Sequence, residues 1–351
     1  MVRIELAVMS LGAGAAVALA AMPIAARVAE RTGFLDRPVG YKQHGHPTPY
    51  LGGSALLLAL LVAGIAFGEG SGRFLPVLLG AIGMWVVGTV DDRVNLSPWL
   101  RIAATVAAGV GLWVGNLGWG VFDWAGLDLV LTVLWVLGLV NAFNLMDNLD
   151  GAAGSVAATT AVGVGAFALV GGDSTLLTLA CGLLGACLGF LCWNLADPAR
   201  IFLGDGGSMP LGFVVAALAI AAQPAGDLGG SAVLTASLLV GLVILDTTLV
   251  TVSRRRRGVA LLTGARDHLT HRLLGLAGTP RRVAGLLAGV QLSLCAIALG
   301  VSELGRMAVL WVAAVTVIAG IAVIAALERR MDRVKSEVET RAGGLAAAQA
   351  E

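Results

Sequence analysis

The chain has 351 residues, 58% of them hydrophobic and only 13% charged, with a mean hydropathy of +0.89 and a formal net charge of +1. A water-soluble domain carries about 25% charged residues to cover itself, whereas a chain dissolved in lipid has no such need. Soluble classes are thereby excluded, no nucleic-acid partner is expected, and the composition is that of an all-α polytopic membrane protein whose partner is the bilayer.

A bilayer core takes about 20 apolar residues per helical span. In chain order, eleven runs approach that length: 5–29, 51–68, 74–90, 99–116, 128–144, 152–170, 174–195, 208–222, 231–252, 283–301 and 307–327. An odd number of spans puts the termini on opposite sides. All of the 23 Lys and Arg residues except Arg3, Arg73 and Arg306 then fall on one side. The positive-inside rule makes that side the cytoplasm, so the N-terminus lies outside and the C-terminus inside. The first run is kept as a span and not read as a cleaved signal, because its basic residues follow the apolar run.

Small residues at Gly111 and Gly115, and at Gly185 and Gly189, have the spacing of close helix contacts. Trp113, Trp119 and Trp124 read as interfacial anchors around an external hairpin over 117–127. Residues 1–327 read as one integral membrane domain. Residues 328–351 read as a cytoplasmic tail, a fraying helix with a disordered end. Cys181, Cys187, Cys192 and Cys295 all lie in apolar runs and form neither a disulfide framework nor a metal-ligand spacing.

The conspicuous polar residues gather on the cytoplasmic side. Asp91 and Asp92 close the third run. Asn141, Asn144, Asp147, Asn148 and Asp150 close the fifth, Asn194 and Asp205 follow the seventh, and His268 and His271 follow the ninth. Lys42, His44 and His46 share that side. Each acid alone could be a solvated loop residue or a helix cap, but five carboxylates in one cleft repel unless a cation joins them. Oxygen ligands of this kind suit magnesium completed by substrate phosphates. Arg254 to Arg257 directly follow a run and read as a topological anchor. Asp246 lies inside the ninth run, where an acid marks either a functional group or a helix-to-helix pair. The spacing of His268 and His271 also allows zinc, but no accompanying ligand pattern supports it.

Six strings together resemble the polyprenyl-phosphate N-acetylhexosamine-1-phosphate transferases. They are YKQHGHPTPYLGG at 41–53, DD at 91–92, NAFNLMDNLDG at 141–151, IFLGDGGSMPLGF at 201–213, LDT at 245–247 and HLTHRLL at 268–274. The resemblance implies attack of a lipid phosphate oxygen on the β-phosphorus of a UDP-sugar, releasing UMP and leaving a polyprenyl-diphospho-sugar at the cytoplasmic face of a bacterial plasma membrane. It implies Mg²⁺, with Mn²⁺ as a substitute, on Asp150 and Asp205. Asp91 or Asp92 would orient the lipid phosphate or accept its proton. Asn141, Asn144 and Asp147 would shape the nucleotide site, and Asn194 and Phe202 would contact uracil. Lys42, His44, His268, His271 and Arg272 would hold phosphates or sugar.

Tyr41 and Thr270 depart from the family strings, at positions usually held by Arg and His. The form of the last string resembles the UDP-GlcNAc branch more than the phospho-muramoyl-pentapeptide branch, which stands as the alternative. A cation-coupled transporter is a further alternative, disfavoured because such proteins place their ligands near the midplane and use repeated halves. A homodimer is compatible with such a chain.

Overall fold

The computed structural model describes residues 3–36, 47–68, 72–223, 229–260 and 267–348, with side chains followed to residue 333. Lys42 and His44, expected to hold substrate, lie outside the described residues, as does His46.

All eleven apolar runs are helical. They form α1 (Ile4–Thr32), α2 (Gly52–Phe67), α3 (Leu75–Val94), α4 (Pro98–Val114), α5 (Ala125–Met146), α6 (Ala152–Gly171), α7 (Ser174–Asn194), α8 (Asp205–Ala221), the pair α9 (Gly230–Leu239) and α10 (Gly241–Arg257), α12 (Pro280–Ser302) and α13 (Arg306–Ala348). A short α11 (Leu269–Ala277) carries the histidine segment, and two-residue strands β1 (Leu35–Asp36) and β2 (Thr48–Pro49) pair antiparallel. Local chemistry sets several helix starts. Ser97, Asp173 and Thr279 each accept a backbone N–H of the first turn of α4, α7 and α12, and Pro98 and Pro280 sit where a missing N–H costs nothing.

Seven helices are long and apolar enough to cross a membrane, and the α9–α10 pair, bent by 83°, makes an eighth. The three shorter apolar helices, α2, α4 and α8, have 16, 17 and 17 residues. At 1.5 Å per residue they reach only about 24–26 Å, less than a hydrocarbon core of about 30 Å.

Burial grades outward from α8, in which every residue from Gly206 to Ile220 is buried. The apolar window of α6 is 72% buried and that of α13 only 11%, so α13 turns its side chains to lipid while α6 packs inside. Small residues bring α1 and α7 together. A Cβ on Gly185 would stand 2.1 Å from the Leu11 carbonyl oxygen, closer than any side chain permits. In the other expected pair Gly111 faces open space, while a Cβ on Gly115 would stand 2.3 Å from the Pro76 ring of α3.

The ninth run was expected to be one span and is broken at Val240. In lipid the freed backbone groups need partners. Buried Gln291 of α12 supplies them, accepting from Leu242 N–H at 3.2 Å and donating to Leu239 C=O at 2.8 Å, while Thr160 also donates to Leu239 C=O at 3.0 Å.

Two further expectations differ. The described 117–127 segment contains no strand; it is an irregular turn whose Val121 and Phe122 N–H groups donate to the Asp128 carboxylate at 2.9 and 3.1 Å. Trp119 is buried edge-on against Trp135, ring centroids 5.3 Å apart, and serves packing and not anchoring. At the other end, α13 runs unbroken across residue 328 to Ala348. Glu328 is buried within the protein because arginines of α10 and α11 meet it.

Candidate functional site

The N-terminus of α8 is the point on which the acidic residues converge. Gly88 of α3 lets it approach, since a Cβ there would lie 2.1 Å from the Asp205 carbonyl oxygen. Asp92, in the last turn of α3, accepts the backbone N–H of Asp205 at 2.9 Å on one oxygen and that of Gly206 at 3.0 Å on the other. A carboxylate on the free N–H groups of a helix start satisfies them and meets the positive end of the dipole. Asp92 is further fixed by Tyr50, whose hydroxyl donates to its carbonyl oxygen at 2.7 Å.

Its neighbour Asp91 is also buried and engaged, accepting from Leu96 N–H at 2.6 Å and from Arg101 at 2.9 Å. Arg101 stands 3.8 Å from Asp205 as well, so a single guanidinium serves two acids. Asn144, near the end of α5, donates to Asp205 at 2.6 Å and bonds Ser208 at 3.0 Å.

Asp147, Asn148 and Asp150 lie in the tight turn between α5 and α6. Burial holds the Asp147 carboxyl well above the usual carboxylate range, and the charges of Asp205, Asp150 and Asp92 push it further the same way. That shift is an electrostatic sign that these four carboxylates from α3, α8 and the α5–α6 turn share one neighbourhood. Asn194, buried at the end of α7, accepts from Gly151 N–H at 2.6 Å and donates to the Ile201 carbonyl at 3.0 Å. Its amide braces the turn to the segment before α8. Phe202, in that segment, is part-buried, with its backbone bonded to Pro49 C=O at 2.7 Å and Gly52 N–H at 3.0 Å. Asn141 stands apart: it is exposed and donates to Leu137 C=O of its own helix at 2.7 Å.

The histidine segment docks on the same turn. Buried Thr270 of α11 donates to the Asn148 side chain. His268, which precedes α11, and His271, within it, have ring centroids 6.5 Å apart. Arg272 is buried among Ser253 (3.0 Å), the Asp267 carbonyl (3.1 Å) and Glu328 (2.7 Å). One of its terminal nitrogens is sealed without a hydrogen-bond partner. Asp267 takes a two-point bond from Arg254, 3.0 Å each, and a third contact from Arg257 at 2.7 Å. Burial alone would raise the Asp267 carboxyl, but its hydrogen bonds to Arg254 and that guanidinium's charge outweigh it and hold it below the usual range. The run Arg254 to Arg257 thus does more than anchor topology.

Among the described residues no three His, Cys, Asp or Glu side chains form a closed metal cage. The donor chemistry still fits magnesium, which takes one or two carboxylates and completes its shell with water and substrate phosphates. Asp150 and Asp205, with Asp147 beside them, supply carboxyl oxygens of the kind magnesium takes.

The family model described as "Glycosyl transferase family 4" matches residues 74–223, the stretch that contains Asp91, Asp92, Asn144, Asp147, Asp150 and Asp205. A protein of Bacillus subtilis (strain 168), named a probable undecaprenyl-phosphate N-acetylglucosaminyl 1-phosphate transferase, is 30% identical over 292 residues, 79% of this chain and 80% of its own length. The chain belongs to glycosyl transferase family 4. The decaprenyl-phosphate N-acetylglucosaminephosphotransferase of Mycobacterium tuberculosis (strain ATCC 25618 / H37Rv) is 32% identical over 325 residues, covering 80% of this chain and 78% of that one. A phospho-N-acetylmuramoyl-pentapeptide-transferase of Shouchella clausii (strain KSM-K16) is 34% identical over 213 residues, 52% of this chain and 64% of its own length.

The acids and Asn144 were legible as ends of apolar runs. Arg101, Tyr50, Ser208 and Glu328 were not, because each is ordinary in sequence and reaches the site only through packing.

Proposed function

We propose that this family member transfers N-acetylhexosamine-1-phosphate, and specifically GlcNAc-1-phosphate, from a UDP-sugar to polyprenyl phosphate. UMP leaves and a polyprenyl-diphospho-sugar forms, an opening membrane step of cell-envelope glycan synthesis. The observation that carries this reading is the convergence of Asp92, Asn144 and Asp205 at the start of α8, with Asp147 and Asp150 beside them. The Bacillus and Mycobacterium relatives, which span most of this chain, bear GlcNAc-1-phosphate transferase names, whereas the Shouchella pentapeptide-type relative spans about half of it.

Both reactants are anions, so the work of the site is charge neutralisation and in-line placement. Asp150 and Asp205 would hold Mg²⁺, with Mn²⁺ as a substitute. Bound there, the ion would supply charge stabilisation on the transferring and leaving phosphate oxygens. Asn144 keeps the Asp205 carboxylate aimed, and Asp92 keeps the residue's backbone in place. Asp91, tied to Leu96 and Arg101, suits orienting the approach of the lipid phosphate better than free proton exchange. Burial and the charges of Asp205, Asp150 and Asp92 raise the proton affinity of Asp147, which a cation bound beside it would oppose. His268 and His271 would meet phosphate or sugar oxygens, and Phe202 the uracil.

The positive-inside asymmetry supports eleven crossings, with α2, α4 and α8 as short spans, the N-terminus outside and the site facing the cytoplasm. Purified protein given polyprenyl phosphate, magnesium and a panel of UDP-sugars should release UMP, fastest with UDP-GlcNAc. Release only with UDP-muramoyl-pentapeptide would favour the alternative, and none with any donor would refute the transfer reading.

A further inference from the structure

Asp246 has no part in the transfer chemistry described so far, yet it is fully buried in α10. One of its oxygens accepts the backbone N–H of Leu269, the first residue of α11, at 2.6 Å. The other lies 2.9 Å from Nδ1 of His268. An ionised carboxylate can only accept, so this contact requires the proton on Nδ1. A buried acid within the membrane is costly unless paired, and here the imidazole and the start of α11 pair it from two directions. Nε2 takes no hydrogen bond from the described residues and is the ring atom left for a ligand. The neighbouring charges are already committed, Arg254 and Arg257 to Asp267 and Arg272 to Glu328. Thr270, two residues on, docks this segment against Asn148 in the turn that carries Asp147 and Asp150.

We propose that Asp246 is a positioning residue: it locks His268 with Nδ1–H toward the carboxylate, so that Nε2 is presented to an oxygen of the donor diphosphate. The first half stands on hydrogen bonds alone, and the second rests on the transfer reading. A carboxylate behind a functional histidine fixes ring orientation and tautomer, and a doubly protonated ring so held donates its Nε2–H to phosphate.

The chain has four histidines, few enough for ¹⁵N-histidine labelling to resolve His268 by comparison with His268→Ala. The wild-type spectrum should show a protonated, strongly hydrogen-bonded Nδ1. In Asp246→Asn that signature should be lost. The substitution should lower kcat about 10- to 100-fold, with KM for the UDP-sugar changed by less than about threefold. Asp246→Glu should recover part of the rate, and Asp246→Asn combined with His268→Ala should be no slower than His268→Ala alone. A wild-type ring carrying its only proton on Nε2, an Asp246→Asn spectrum identical to wild type, or losses that multiply in the double variant would overturn the proposal. If wild-type protein turns over no UDP-sugar, the transfer reading fails, while the nitrogen spectra still decide whether Asp246 holds the ring.

Discussion

At the start of α8 the carboxylates of Asp91 and Asp205 share one guanidinium, whereas around Asp267 and Glu328 arginines and acids meet within hydrogen-bond reach. Arg101 is shared between Asp91 and Asp205, and burial and then its acidic neighbours push Asp147 toward its neutral form. Across the α5–α6 turn, Arg254 and Arg257 close on Asp267, and Arg256 and Arg272 on Glu328. The difference separates two jobs for clustered charge. A region where acids share one cation suits a ligand that brings further positive charge, whereas a region of arginine–carboxylate pairs is a scaffold that holds helices together.

The sharpest way to break this contrast is Asp205→Asn, which removes a charge from the acidic side. Turnover should fall by roughly 1000-fold, measured as radiolabelled sugar-phosphate transfer, while the thermal midpoint in detergent stays near wild type. Undiminished transfer would remove the metal assignment. His271→Ala, at the border between the regions, should cost about 10- to 100-fold in activity; wild-type kinetics would make it part of the scaffold.

Glu328→Gln tests the paired side. Breaking one partner out of a buried ion pair should lower stability by about 3 kcal/mol, seen by denaturation in detergent, with activity of the folded fraction within about threefold. A large activity loss without destabilisation would place Glu328 in the chemistry.

Acid should also separate the regions. Because Asp147 is raised in the folded state, it is protonated more readily there than in the unfolded chain. In ion-free protein its contribution therefore weakens stability as pH rises from about 4 toward its folded value, and magnesium should relieve this. Asp267 is lowered, so its stabilising pairs persist above about pH 4 and fail only as pH drops further through its folded value. Midpoints measured across this range, with Asp147→Asn and Asp267→Asn as controls, would show slopes of opposite sign.

Much of the architecture was readable because lipid imposes length and apolarity, so each run from 5–29 to 307–327 announced a helix. The break at Val240 was hidden: it falls inside the uninterrupted apolar stretch 238–245, and the group that satisfies the break, Gln291, sits in a different run. The acids were readable because carboxylates ending apolar runs are costly and therefore conspicuous. Their supports were not. Arg101 looked like one more topological charge, and Glu328 like the start of a frayed tail, until packing brought them to Asp91 and Arg272. Asn194 carried a motif resemblance to a base contact, and its amide also braces Gly151 and Ile201, which the sequence did not show.

The acidic cluster is most directly tested by Mn²⁺ binding followed by electron paramagnetic resonance in the presence of a UDP-sugar. The account predicts one saturable site in wild type, competed by Mg²⁺ and lost in both Asp205→Asn and Asp150→Asn. Binding that persists unchanged in both variants would contradict it.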